Sequence, residues 1–179
     1  MKLDLTTHDA LIQIAGDSHK GLWASQAFSR TSKFTVRTAG QLPTSASLHT
    51  LEIVALTTAL RSITKGMAAK LIQPGMTKPR ILVGTSDASF AGAISGLLVG
   101  DRTAPLLRAG RNFLSIAAYQ LARFNVEIRT PETGDTAILV LKGWAQNHVT
   151  DPKVIKHIPG LEPSAVSQVC GFTSLLSRF

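Results

Sequence analysis

The stretch LHTLEIVALTTAL, residues 48–60, reads as an amphipathic helix with one flaw. Ile53, Leu56 and Leu60, with Ile63 just beyond, recur at the spacing of a single helical face. Glu52 stands four residues before Leu56, so its carboxylate points into or along the same apolar stripe. An unpaired buried carboxylate is costly enough that a helix serving packing alone would avoid one. The reason for Glu52 has to lie in what surrounds this helix.

Before it come three segments with strand character. ALIQIAGDSHKGLWASQAF (10–28) reads as two strands around a turn at Ser18–Gly21, and SKFTVRTAGQL (32–42) alternates Phe34 and Val36 with Lys33, Thr35 and Arg37. LPTSAS (42–47) is a turn ending in serines suited to cap the helix, which then runs from Leu48 to about Lys65 before Gly66. After it, Pro74, Gly75 and Pro79 punctuate a loop or short helix. RILVG (80–84) has the continuous apolar character of a central strand, and DASFAGAISGLLVG a small-residue helix. A further helix is expected from a Thr103 cap to about Phe124, then a strand in NVEIRTP (125–131). TAILVLKGWA (136–145) fits helix or strand equally. The order implies an α/β (α+β) domain over residues 1–146, with a mixed central sheet: three antiparallel strands, then strands alternating with helices. Residues 147–179 form a Pro-interrupted extension, expected to pack on the domain or on a partner through Phe172, Leu175, Leu176 and Phe179.

Only eleven residues are Asp or Glu, against nineteen Lys and Arg, a net charge of +8. The placement of the few acids is therefore informative. Asp17 follows an apolar strand, Glu52 lies early in the helix, Asp87 follows the central strand, and Asp135 precedes the last apolar segment. Carboxyl ends of neighbouring strands converge, and ligands favour them. Crowded carboxylates repel unless a cation is present, and oxygen-only donors suit Mg²⁺ or Mn²⁺. Two such ions about 4 Å apart would support phosphodiester hydrolysis. Each acid also has an ordinary reading: Asp17 and Asp135 as turn residues, Glu52 as a complement to the positive helix start, Asp87 as a helix cap.

Taken in order, DSHKGLWASQAF, LHTLEIVALTTAL, ILVGTSDASFAGAIS and FNVEIRTPETGDTAILVLKG resemble the ribonuclease H fold. The similarity is closest to ribonuclease H domains of retroelement and pararetrovirus polymerases, including the hepadnaviral type. It rests on Asp17, Ser18, Gly21, Trp23 and Ala24, on His49, Thr50 and Glu52, on Thr85, Ser86 and Asp87, and loosely on Gly134, Asp135, Leu139 and Lys142. The extra Ser86 and the missing Asn of the final motif depart from the family pattern, and Glu132 could stand in for Asp135. The resemblance implies a two-metal endonuclease that cuts the RNA strand of RNA–DNA hybrids, with Asp17, Glu52, Asp87 and Asp135 as catalytic metal ligands. It also suggests a link to reverse transcription and a polymerase domain as a possible partner. Two alternatives stay open: a non-catalytic basic nucleic-acid-binding or structural protein of the same fold, and a DNA junction or transposase-like nuclease.

The basic charge points to a polyanion, with nucleic acid the commonest, and Arg30, Lys33, Arg37, Arg108 and Arg111 are candidate phosphate contacts. His49 and His148 could assist proton transfer or product release, although a lone histidine is more often structural. The longest apolar runs are far shorter than a membrane span, MKLDLTTHDA lacks the core of a secretory signal, and a single Cys170 excludes an internal disulfide. An intracellular or viral setting fits. The charge predicts sequence-independent nucleic-acid binding that weakens steeply as salt rises from about 50 to 200 mM. Fluorescence anisotropy on labelled hybrid checks this; an affinity indifferent to salt removes the nucleic-acid reading.

Overall fold

Strands β1 (Ala10–Asp17) and β2 (Leu22–Ser29) pair antiparallel across the expected turn, with Asp17 opposite Leu22 and Ala10 opposite Ser29. Gly21 makes that turn possible. Its φ is +63°, and a Cβ there would stand 2.2 Å from the carbonyl oxygen of Leu42. The close approach is itself bonded, since the Leu42 N–H donates to the Gly21 carbonyl at 2.8 Å. Strand β3 (Phe34–Gln41) continues the meander on β2, where the buried hydroxyls of Ser25 and Thr38, opposite each other, share a 2.6 Å hydrogen bond.

The computed structural model describes residues 7–30, 34–66, 77–100, 117–130 and 136–149. Expectations for Lys33, Arg108, Arg111, Glu132, Asp135, the start of the helix at Thr103 and residues 150–179 lie outside them.

Helix α1 (Leu48–Gly66) starts where the serines predicted: Ser47 Oγ accepts from the Thr50 N–H, and the Ser47 carbonyl from the Leu51 N–H. Its adjacent threonines are tolerated because Thr57 and Thr58 donate back to the carbonyls of Ile53 and Val54. Strand β4 (Arg80–Thr85) lies parallel to β1, and β5 (Asn125–Arg129) parallel to β4, giving one five-stranded mixed sheet ordered β3-β2-β1-β4-β5. Between them lies α2 (Ala88–Leu98), and residues 117–121 are helical. The α/β architecture expected from the sequence is the one observed.

Helix α3 (Ala137–Val149) settles the ambiguous segment. Ile138, Leu141 and Ala145 recur on one buried face, while Leu139 and Val140 stay 65% and 59% exposed, a helical pattern that a two-residue alternation does not produce. The sheet is covered on both sides. Ile12, Ile14, Trp23, Ile81 and Val83 pack with Leu51, Leu56, Leu60 and Ile63 of α1, Phe90 and Ile94 of α2, and Leu121. On the opposite face a smaller cluster joins Ala15 and Ala24 to Ile138, Leu141 and Ala145 of α3. Among the described residues no helix is long and apolar enough to cross a membrane.

Gly21→Ala should cost about 2 kcal/mol or more, since it adds both a left-handed backbone penalty and a clash with backbone. Urea denaturation reads it; a change within about 0.5 kcal/mol would contradict this turn geometry.

Candidate functional site

The parallel register of β1 and β4 sets Ile14 beside Thr85, so the carboxyl ends of both strands lie together. Asp17 is the last residue of β1, and Asp87 comes two residues after β4. Helix α1 crosses the same end closely because β1 has a glycine there. A Cβ on Gly16 would meet Leu48 Cδ1 at 2.7 Å, Leu51 Cβ at 3.2 Å and Glu52 Cγ at 3.5 Å. The sheet therefore brings Asp17, Glu52 and Asp87 to one edge, and does so from two sides. Asp17 shares the α3 face with Ala15, whereas Glu52 descends from α1 on the other.

Glu52 is fully buried, at 0% exposure. The Asp87 N–H donates to Thr85 Oγ1 at 3.1 Å, and the Thr85 hydroxyl donates to Glu52 Oε2 at 2.9 Å. Oε1 has no hydrogen-bond partner, the one such buried side-chain atom among the described residues. Burial pushes the Glu52 carboxyl from 4.5 up to about 8; the Asp87 charge adds to the rise, and the Thr85 hydroxyl and the Lys142 ammonium oppose it.

Asp87 is the N-cap of α2, the ordinary role its position suggested. Its Oδ1 accepts from the Ser89 N–H at 2.8 Å, the Ser89 hydroxyl at 2.7 Å and the Phe90 N–H at 3.2 Å. Its Oδ2 stands 3.0 Å from His49 Nε2. Partial burial alone would raise this carboxyl; the bonds from the Ser89 hydroxyl and the Phe90 and Ser89 amides, helped by His49, outweigh it and hold the group below 3.8. Asp17 likewise closes its own turn, Oδ1 accepting from the N–H groups of His19 at 3.1 Å and Lys20 at 3.3 Å. Its Oδ2 meets Gln146 Nε2 at 3.5 Å, over a shallow depression lined also by Trp23, Lys142 and Ala145.

By donor chemistry these residues fit a hard divalent cation. Each carboxylate keeps one oxygen off the backbone, and the orphaned Glu52 Oε1 lacks the positive partner that a buried charged carboxylate requires. They are not gathered on one point: among the described residues no three His, Cys, Asp or Glu side chains stand close enough to hold one ion. Asp17 and Glu52 approach from opposite faces of the sheet, which keeps those two acids apart.

Of the basic residues, Arg30 follows β2 at the opposite end of the sheet and pairs with Asp9 at 3.7 Å. Arg37, mid-strand on β3, donates to Gln26 Oε1 at 2.6 Å and lies 6.0 Å from the ring centre of Trp144. Neither borders the acidic edge. Sequence reasoning missed Thr85 as the partner of Glu52, and Gln146 and Lys142 as neighbours of the edge. Thr85 carried a signal: it continues the buried alternation Ile81, Val83, and a hydroxyl in a core position must find a partner. Lys142 enters the sequence reading only as a loose match to the final motif, and Gln146, four residues further along α3, carried no signal until the segment was known to be helical.

No family model matches the sequence, and no curated protein does. Among solved structures the chain is similar to the N-terminal RNase H domain of Rv2228c from Mycobacterium tuberculosis, solved as a fusion with maltose-binding protein. The identity is 12%, the alignment covers 79% of this chain and 96% of that one, and the TM-score is 0.47.

With no cation bound, the raised Glu52 carboxyl makes stability depend on pH. The folded chain keeps a proton that the unfolded chain releases, so this contribution is whole below pH 4.5 and gone above about 8. Within that window stability should fall by up to about 1.4 kcal/mol per pH unit. Denaturant titrations at pH 5 to 9 in chelator should show the decline in wild type and a flatter profile in Glu52→Gln. Parallel profiles would mean that Glu52 is not the group responsible.

Proposed function

We propose that this chain is a metal-dependent nuclease of the ribonuclease H type, hydrolysing the RNA strand of RNA–DNA hybrids. The observation that carries the reading is the buried, half-unpartnered Glu52 carboxylate, set at the sheet edge where β1 delivers Asp17 and β4 delivers Asp87. The +8 charge supports a polyanionic substrate. Kinship with the ribonuclease H domains of retroelement and pararetrovirus polymerases belongs to the same proposal and is supported by the His49-Thr50-x-Glu52 pattern.

Asp17, Glu52 and Asp87 would hold Mg²⁺ or Mn²⁺, with Asp135 as a fourth ligand. Bound there, the ions would lower the pKa of water and neutralise charge on the leaving oxygen. The chain's own contribution is positional. The Thr85 hydroxyl orients one edge of Glu52, while backbone N–H groups of the α2 cap and of the β1–β2 turn orient Asp87 and Asp17. A second reading, a non-catalytic nucleic-acid binder of this fold, draws on those same commitments: Asp17 and Asp87 already have work as turn and cap residues.

Asp87→Asn separates the two readings. Asn caps a helix about as well as Asp, so the fold should survive, while an amide ligates a hard cation poorly. On labelled hybrid with Mg²⁺ or Mn²⁺, cleavage should drop about 10²-fold or more, with hybrid binding kept or strengthened as a negative charge is lost. Wild type that binds hybrid yet cuts nothing with either metal establishes the binder. Cleavage untouched by Asp87→Asn places the active site elsewhere.

A further inference from the structure

His49 occupies the second position of α1, one turn before Glu52 on the same side of the helix. Its Nε2 lies 3.0 Å from Asp87 Oδ2 and 3.0 Å from the Ser89 hydroxyl, and its ring stacks on Phe90, with centroids 6.4 Å apart and planes 12° off parallel. The Ser89 hydroxyl and the Phe90 ring, both in the first turn of α2, thus hold the imidazole with its Nε2 against one carboxylate oxygen of the cap residue. The two Asp87 oxygens have separate duties. Oδ1 takes all three bonds of the α2 cap, while Oδ2 faces only His49 among the described residues.

The geometry points to His49 as a competitor that governs access of a divalent cation to Asp87, by occupying the oxygen the cation would need. The inference rests on the metal-dependent reading given above. Two effects of His49 compete, and the bond count decides between them. Were His49 the main orienting contact of Asp87, its loss would let the carboxylate swing away and weaken metal binding. The three donors on Oδ1 hold that orientation without it, so the remaining consequence of His49 is competition for Oδ2. A cation binding at Asp87 has to displace the imidazole, which stays anchored beside it by Ser89 and Phe90. Glu52, a turn further along the same helix, is then left as the buried acid that a cation at this edge would complete.

The test uses the full chain with Mn²⁺ as the probe, free ion being counted by electron paramagnetic resonance, at one fixed pH. His49→Ala removes the competing donor and should tighten Mn²⁺ binding roughly tenfold, equivalent to about 1.4 kcal/mol. His49→Gln places an amide donor near the position of Nε2 and should restore an affinity close to wild type, a rescue that a purely structural role would not require. Asp87→Asn should abolish the binding in either background. Wild type that binds Mn²⁺ while His49→Ala binds equally or more weakly overturns the competition and leaves the metal reading standing. Binding that survives Asp87→Asn puts the ion elsewhere and overturns it as well. If wild type, His49→Ala and His49→Gln all fail to bind Mn²⁺ while melting cooperatively, the metal reading falls and takes this inference with it.

Discussion

A fully buried carboxyl group at the junction of β1, β4 and α1 constrains everything near it. Burying Glu52 takes a hydrogen-bond donor at the end of β4, which Thr85 supplies, and a helix close enough to insert the side chain, which Gly16 allows. The Thr85 hydroxyl does not improve packing, whereas Gly16 also lets Leu48 and Leu51 approach the strand. A Val at 85 would suit the alternation of Ile81 and Val83 equally well, and a larger residue at 16 would fill the space that α1 occupies instead. Replacing a buried ionisable group in a core by an apolar one is often neutral or favourable, so stability alone gives little reason to keep Glu52, whose Oε1 has no partner.

Around that acid the local structure is ordinary. A Ser caps α1, an Asp caps α2, an Asx turn closes the β1–β2 hairpin, and each follows from common side-chain chemistry. What is particular is their superposition: the cap of α2 and the turn of β1 use the same aspartates that the sheet delivers to the Glu52 edge. Local backbone satisfaction and a charged edge are built from one set of residues.

Much of this could be read in the sequence. The stripe Ile53, Leu56, Leu60 and Ile63 announced both α1 and the anomaly of Glu52, and the continuous run at 80–84 announced a strand covered on both faces. That Asp17 and Asp87 end neighbouring strands followed from the order of elements. Other features were not legible for definite reasons. AILVL satisfies helix and strand patterns alike, and only the unequal burial of neighbouring residues in the folded chain decides between them. Sequence placed the three acids at one edge, but not on opposite faces of it, because the face a strand's last side chain takes depends on register. Arg30 reads as basic and near a hairpin; pairing sends it to the far end of the sheet.

The parallel pairing of β1 with β4 bears on how the molecule comes together in time. The meander β1–β2–β3 closes through short loops and can assemble locally, but Ala10 meets Ile81 only after a crossover of about seventy residues has been drawn in. Contacts so distant in sequence form late, since chain closure must be met before they contribute. Glu52 belongs to the crossover and Asp87 to the helix cap just beyond the strand it delivers. The acidic edge therefore depends on a pairing distant in sequence, and Asp17, Glu52 and Asp87 are not brought together by any local part of the chain.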